Sequence, residues 1–199
     1  QTEERKRLNA AFAHDLRNPI TVLKGSVKIL RQNACDMQAL DRLENYTFRI
    51  EQYVEAMSSI QRLEQIPVQI GEVSWSALRS ELEETAHLLA LTQAVSISTP
   101  GMGTLQLDHG IFLTVAENLI GNAARFAGQK LEVSLTRKEN TLLLSVADDG
   151  PGFPNQLLQG GPMPFKKWDE NAEHFGMGLY SSGILCQKHG GGLYLENQR

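Results

Sequence analysis

The chain has 199 residues, of which 41% are hydrophobic and 21% charged, and carries a formal net charge of -4. That length fits one large domain or two small ones. The composition is that of a globular protein rather than a disordered chain by default, and the acidic balance argues against a nucleic-acid binder, which usually shows a basic face. The two cysteines, Cys35 and Cys186, lie far apart without zinc-ligand spacing and suit a reducing compartment. No run is apolar and long enough to span a bilayer, and no signal peptide is visible. The chain opens at Gln1 within a charged helical pattern, so a fragment of a longer protein is expected.

In chain order, the first third predicts two long helices. Leu8, Phe12, Leu16, Ile20, Leu23, Val27 and Leu30 recur at steps of three and four. After a polar break at Asn33 to Asp36, a second stripe carries Leu40, Leu43, Tyr46, Ile50, Tyr53, Val54, Met57 and Ile60. One partner helix cannot cover either stripe. Two antiparallel helices from each of two chains would, as a dimeric four-helix bundle. An intrachain hairpin covered by a second domain is the alternative.

Gln65 to Gly71, with Pro67, predicts a linker, and the texture beyond it is mixed α and β. Domains are expected at 1–66 and 67–199. Ser74 or Ser76 would cap a helix through Leu78, Leu82, Ala86 and Leu89. A strand is expected at Val95 to Ser98, and a helix from about Asp108 to Phe126. Leu131 to Thr136 and Thr141 to Ala147 alternate as a β-hairpin. Gly150 to Gly176 predicts a long loop and Met177 to Lys188 a last helix, with a short strand expected at Leu193 to Glu196.

Within the first helix, His14 lies two residues from both Phe12 and Leu16. At about 100° per residue it points away from their stripe, toward solvent. Asn18 and Thr21 share its face. An exposed imidazole is a usable nucleophile at neutral pH, and the neighbouring Asp15 could orient one ring nitrogen. Pro19 removes a backbone donor inside the helix at a cost of about 3 kcal/mol, so a bend is expected.

The second half carries three smaller signals. On the helix ending at Phe126, Asn118, Asn122 and Arg125 share a face opposite Phe112, Ala116, Leu119 and Ala123. Asparagine is a mediocre helix former. Its carboxamide oxygen can ligate Mg²⁺, and arginine can hold phosphate. Asp148, Asp149, Gly150, Pro151 and Gly152 end a strand, where a carboxylate can accept from an exocyclic amine and glycines let backbone approach a ligand. Gly176, Met177, Gly178 and Leu179 open the last helix, whose N–H groups suit a polyphosphate. Each signal alone also fits a plain surface or turn.

Together they carry a resemblance. His14-Asp15-Leu16-Arg17-Asn18-Pro19-Ile20-Thr21 resembles the phosphoacceptor box of sensor histidine kinases at every position. Glu117 to Phe126 resembles the N box of the ATP-binding domain shared by histidine kinases, gyrase, MutL and the heat-shock chaperones. The resemblance implies a two-layer α/β sandwich with a mixed sheet of the Bergerat type. It implies that His14 accepts the γ-phosphoryl group of ATP, that Asp15 assists as base or orienter, and that Asn18 positions a water during dephosphorylation of a partner. Asn122 is then the Mg²⁺ ligand, Asn118 and Arg125 sit by the phosphates, and Phe126 lines the pocket. Asp148 binds the adenine amine, with Gly150 and Gly152 shaping its surroundings. Gly176, Gly178 and Leu179 meet the phosphates. Pro164 to Trp168 resembles the phenylalanine box of the lid, from which Lys166 or Lys167 could reach phosphate.

The resemblance further implies a homodimer, a response-regulator partner and the cytoplasmic part of a bacterial protein anchored in the inner or plasma membrane. The chain departs from the family pattern at its C-terminus, where another strand usually follows the glycine run. A water-activating ATPase of the same superfamily is opposed by Asn118, where those enzymes place a glutamate, and by the His14 box. A scaffold without turnover is opposed by the intact boxes. His87, His109, His174 and His189 are read as structural or solvated, and Trp75 and Trp168 as packing anchors.

Overall fold

The structure, a computed structural model, describes residues 2–32, 36–163 and 177–197; for 2–9, 11, 14 and 15 it describes the backbone alone. The chain divides into two compact units, Gln1–Arg62 and Leu63–Arg199.

The first unit is a helical hairpin of α1 (Thr2–Gln32) and α2 (Met37–Gln65), the latter running into the second unit. Asp36 starts α2 by accepting the Ala39 N–H at 2.9 Å. Helix α1 continues through Pro19, which is buried. The buried and half-buried positions of α1 are spaced as a heptad seam through Phe12, Leu16, Pro19, Leu23, Ser26 and Leu30. Those of α2 run through Ala39, Leu43, Tyr46, Ile50, Tyr53, Met57 and Ile60. Several residues of the expected stripes stand outside these seams: Ile20 is 40% exposed, Val27 42%, Leu40 42% and Val54 52%.

In the second unit, β1 (Gly71–Ser74) pairs antiparallel with β3 (Thr104–Leu107). A mixed sheet has the order β2 (Ala94–Ser98), β4 (Lys130–Lys138), β5 (Thr141–Asp148). β2 runs parallel to β4, and β4 antiparallel to β5. Helices α3 (Trp75–Leu89) and α4 (His109–Phe126) supply the second layer. Leu131, Val133 and Leu135 alternate inward from β4 onto Leu78 and Leu82 of α3 and Ala116 and Ile120 of α4. Ser74 caps α3, accepting from Ala77 N–H at 3.2 Å. Trp75 anchors the same core and donates its indole N–H to Thr99 O at 3.1 Å.

Two expectations need correction. Gly150–Gly176 is not a continuous loop, because Asn155–Gly160 forms a short helix, α5. Leu193–Glu196 is not a strand: the segment joins no ladder among the described residues, despite its alternating pattern. The last helix, α6 (Met177–Lys188), packs along α4 through Leu185 against Ile111 and Val115.

Asp108 fixes the start of α4. Its side chain, only 7% exposed, accepts from Ile111 N–H at 3.0 Å and from Gln69 N–H at 2.6 Å. The Gln69 bond, followed by that of Ile111, holds the carboxyl below its ordinary pKa. Asp108→Ala is expected to cost roughly 2–3 kcal/mol, from the lost cap and an orphaned Gln69 N–H. Because the folded-state pKa is depressed, this stability is present above the unfolded carboxylate value of about 3.9. It is lost as pH falls through the lower folded value. Urea melts of the two proteins should therefore differ at pH 7 and draw together as pH falls below the ordinary carboxylate range.

Candidate functional site

The second unit holds an open cleft of about 2140 Å³ between the outer face of α4, the end of β5, the start of α6 and the segment after it. Asn118, Asn122, Arg125 and Phe126 all line it from α4. Their spacing puts them on one side of that helix while Ala116, Ile120 and Ala123 enter the core. Asn118 and Asn122 are half-buried, whereas Arg125 and Phe126 are exposed at the helix end. The Arg125 guanidinium lies 5.5 Å from the centroid of the Phe126 ring.

Asp148 closes β5 on the opposite side, and its Oδ1 accepts from Gly150 N–H at 2.9 Å. That bond orients the carboxylate at the cleft wall. Gly150 is required by crowding: a Cβ there would lie 2.2 Å from Phe126 O and 2.6 Å from Asp148 Oδ1. Absence of a side chain thus lets the end of β5 meet the end of α4. Gly152 has φ +76°, in the left-handed region open to glycine, and abuts the Asn197 carboxamide. Gly178 and Leu179 line the cleft from α6, and a Cβ on Gly178 would sit 3.4 Å from Asn118 Oδ1.

Nine expected site residues therefore meet around one cleft. Lys166 and Gly176 lie outside the described residues, as do Pro164 to Trp168, His174 and Cys35. So do the side chains of His14 and Asp15, whose backbone is helical within α1. Asn18 is exposed on α1. Thr21, also exposed, donates its hydroxyl to Arg17 O at 2.8 Å.

Two supporting side chains were not singled out from sequence. Asp149 turns away from Asp148's task and accepts from Gly128, Gln129 and Lys130 N–H at 2.8 to 3.0 Å. The bonds from Lys130 and Gln129, in that order, lower its pKa most. Asn197 accepts from Phe153 N–H at 2.8 Å and donates to Phe153 O at 2.9 Å, pinning the glycine-rich turn. An acid beside a glycine was the sequence signal for the first; nothing local announced the second. Among the described residues no group of three or more His, Cys, Asp or Glu side chains is placed to hold a metal ion. Hard oxygen donors at this cleft include the carboxamides of Asn118 and Asn122 and the Asp148 carboxylate.

The family model of the "Histidine kinase-, DNA gyrase B-, and HSP90-like ATPase" matches residues 108–199. That of the "His Kinase A (phospho-acceptor) domain" matches residues 4–66, which include His14. The chain belongs to the sensor histidine kinases. Among curated kinases of this family, it is 26% identical to sensor histidine kinase CpxA of Escherichia coli (strain K12), over 96% of this chain and 44% of that one. It is likewise 26% identical to sensor protein CseC of Streptomyces coelicolor, over 99% of this chain and 37% of the relative. The chain thus spans less than half the length of these relatives. Solved histidine kinases share the fold. Acinetobacter baumannii histidine kinase AdeS matches with TM-score 0.52 at 20% identity, covering 88% of this chain and 86% of that one. Full-length ShkA, solved in complex with AMPPNP, gives TM-score 0.58 at 18% identity over 96% of this chain and 43% of its own. Among the described residues no helix is long and apolar enough to cross a membrane.

Proposed function

We propose that this chain autophosphorylates on His14 with Mg·ATP and passes the phosphoryl group to an aspartate of a response regulator. The observation that carries the reading is the convergence of Asn118, Asn122, Arg125, Asp148 and Gly178 on one cleft. Residues 1–66 would serve as the dimerisation and phosphoacceptor domain and 67–199 as the ATP-binding domain.

Asp148 accepts a hydrogen bond from the adenine amino group, in a slot that Gly150 and Gly152 leave narrow and Phe126 borders. Asn122 holds Mg²⁺ through its carboxamide oxygen, with Asn118 beside the phosphates. When bound, Mg²⁺ neutralises phosphate charge, which is most of what phosphoryl transfer asks of a protein beyond positioning. Arg125, Lys166, Gly176 and the α6 N–H groups from Met177 to Leu179 add to that field. Asp15 holds one nitrogen of His14 as N–H. The other forms the N–P bond as the bond from the γ-phosphorus to the bridging oxygen breaks and ADP leaves. In the reverse regulatory sense, Asn18 orients a water against the phosphorylated regulator.

The exposed apolar residues Ile20, Val27, Phe48 and Val54 on the hairpin support a homodimer, since a second hairpin would cover them. The relatives' names as sensor proteins support placing this part of the protein in the cytoplasm of a bacterium, below a membrane-anchored sensor. Incubation with Mg²⁺ and γ-labelled ATP should put acid-labile, base-stable label on the chain. Label that survives acid would place the phosphate on a hydroxyl amino acid and refute the reading.

A further inference from the structure

Helix α6 touches two places that the proposed chemistry keeps apart. Its first residues, Met177 to Leu179, line the cleft, with Gly178 against Asn118. Its last residue, Lys188, reaches the chain leaving α2: Nζ donates to Glu64 O at 2.6 Å. Glu64 lies in the final turn of α2, where carbonyls lack intrahelical partners and a cation complements the helix dipole. Next to it, His189 Nε2 accepts the Asp108 backbone N–H at 2.8 Å, while the Asp108 carboxylate takes Gln69 N–H. Leu63 and Val68 complete the contact by packing on Ile111, Val115 and Leu185.

The same stretch, 63–69, is thus tied to the C-terminal end of α6 by an ammonium, by an aspartate seated on a histidine, and by an apolar patch. Along α6 the side facing α4 reads Gly178, Ser182 and Leu185, at helical steps of four and three, and His189 follows just past the helix end. Ser182 and Leu185 are fully buried. A 12-residue helix is a rod of about 18 Å. A shift where Gly178 meets Asn118 is carried along the helix to Lys188, because a close-packed face does not deform gradually.

We propose that Lys188 and His189, acting through Asp108, are positioning residues that couple occupancy of the cleft to the last turn of α2. Lys188 stands outside the residues that line the cleft, while His189 borders it and is engaged by the Asp108 backbone N–H. Their role is to make the chain entering the catalytic unit register whether the cleft is filled. This inference rests on the nucleotide reading of the cleft.

The test is amide hydrogen exchange across residues 63–70 of the whole chain, with and without Mg·AMPPNP, after binding has been measured by calorimetry. In the wild type, nucleotide should change exchange there by roughly twofold or more. Lys188→Met keeps the apolar stem and removes the donor. It should bind nucleotide as the wild type does but lose the response, and Lys188→Arg should restore it. Tight binding with unaltered exchange in the wild type would overturn the coupling alone, as would an undiminished response in Lys188→Met. Absence of binding would overturn the nucleotide reading and the coupling with it.

Discussion

Replacing His14 by alanine is expected to reduce label from γ-labelled ATP to background while leaving Mg·ATP affinity unchanged. The two halves of that result separate nucleophile from pocket. His14 lies on α1, in the first unit, whereas Asn118, Asn122, Arg125 and Asp148 are gathered in the second. Removing the ring nitrogen that would form the N–P bond is expected to stop transfer, because an alanine side chain has no lone pair to attack the γ-phosphorus. Asp15→Asn should act more mildly, slowing transfer without abolishing it, if the carboxylate only orients the ring. Equal labelling of wild type and His14→Ala would reject the central assignment.

The second large effect is expected at Asp148. Asp148→Ala should weaken nucleotide binding about 10- to 100-fold, the worth of one charged hydrogen bond at roughly 1.5–3 kcal/mol. The fold should survive, since the neighbouring Asp149 continues to hold the start of β4 through three backbone N–H groups. Calorimetric titration with AMPPNP measures the first claim and thermal melting the second. Asp148→Asn keeps an acceptor for Gly150 N–H and should fall between the two proteins. A wild-type affinity in Asp148→Ala would remove Asp148 from the adenine end of the cleft.

Local signals in the sequence announced the elements that are built locally. The three-and-four steps gave α1, α2, α3 and α4; Ser74 and Asp108 marked two helix starts; alternation gave the β4–β5 hairpin. β1 and β3 were missed because each has four residues and the partner it pairs with lies across α3 and β2. Leu193–Glu196 misled for the converse reason: alternation describes a side chain's two faces, but a strand also needs a neighbour to bond. On the hairpin, polarity could not rank two apolar faces. Phe12, Leu16 and Leu23 are partly covered, while Ile20 and Val27 stand exposed, and only packing distinguishes them. The site was legible as residue types in order. That Asp148 and Asp149 have different tasks was not, since Asp148 ends β5 and Asp149 follows it, and nothing in the sequence says which of the two faces the cleft.

Asp149 also bears on how a ligand would enter. Its carboxylate joins the residues following α4 to the end of β5, and Gly150 leaves no spare room against Phe126 O. One wall of the cleft is therefore set before any ligand arrives. The opposing stretch, Gly191–Asn197, has no ladder and is held to Phe153 by the paired bonds of Asn197. The first wall, preorganised in this way, costs little conformational entropy on association. On the proposed nucleotide reading, selectivity for the base would belong to that wall.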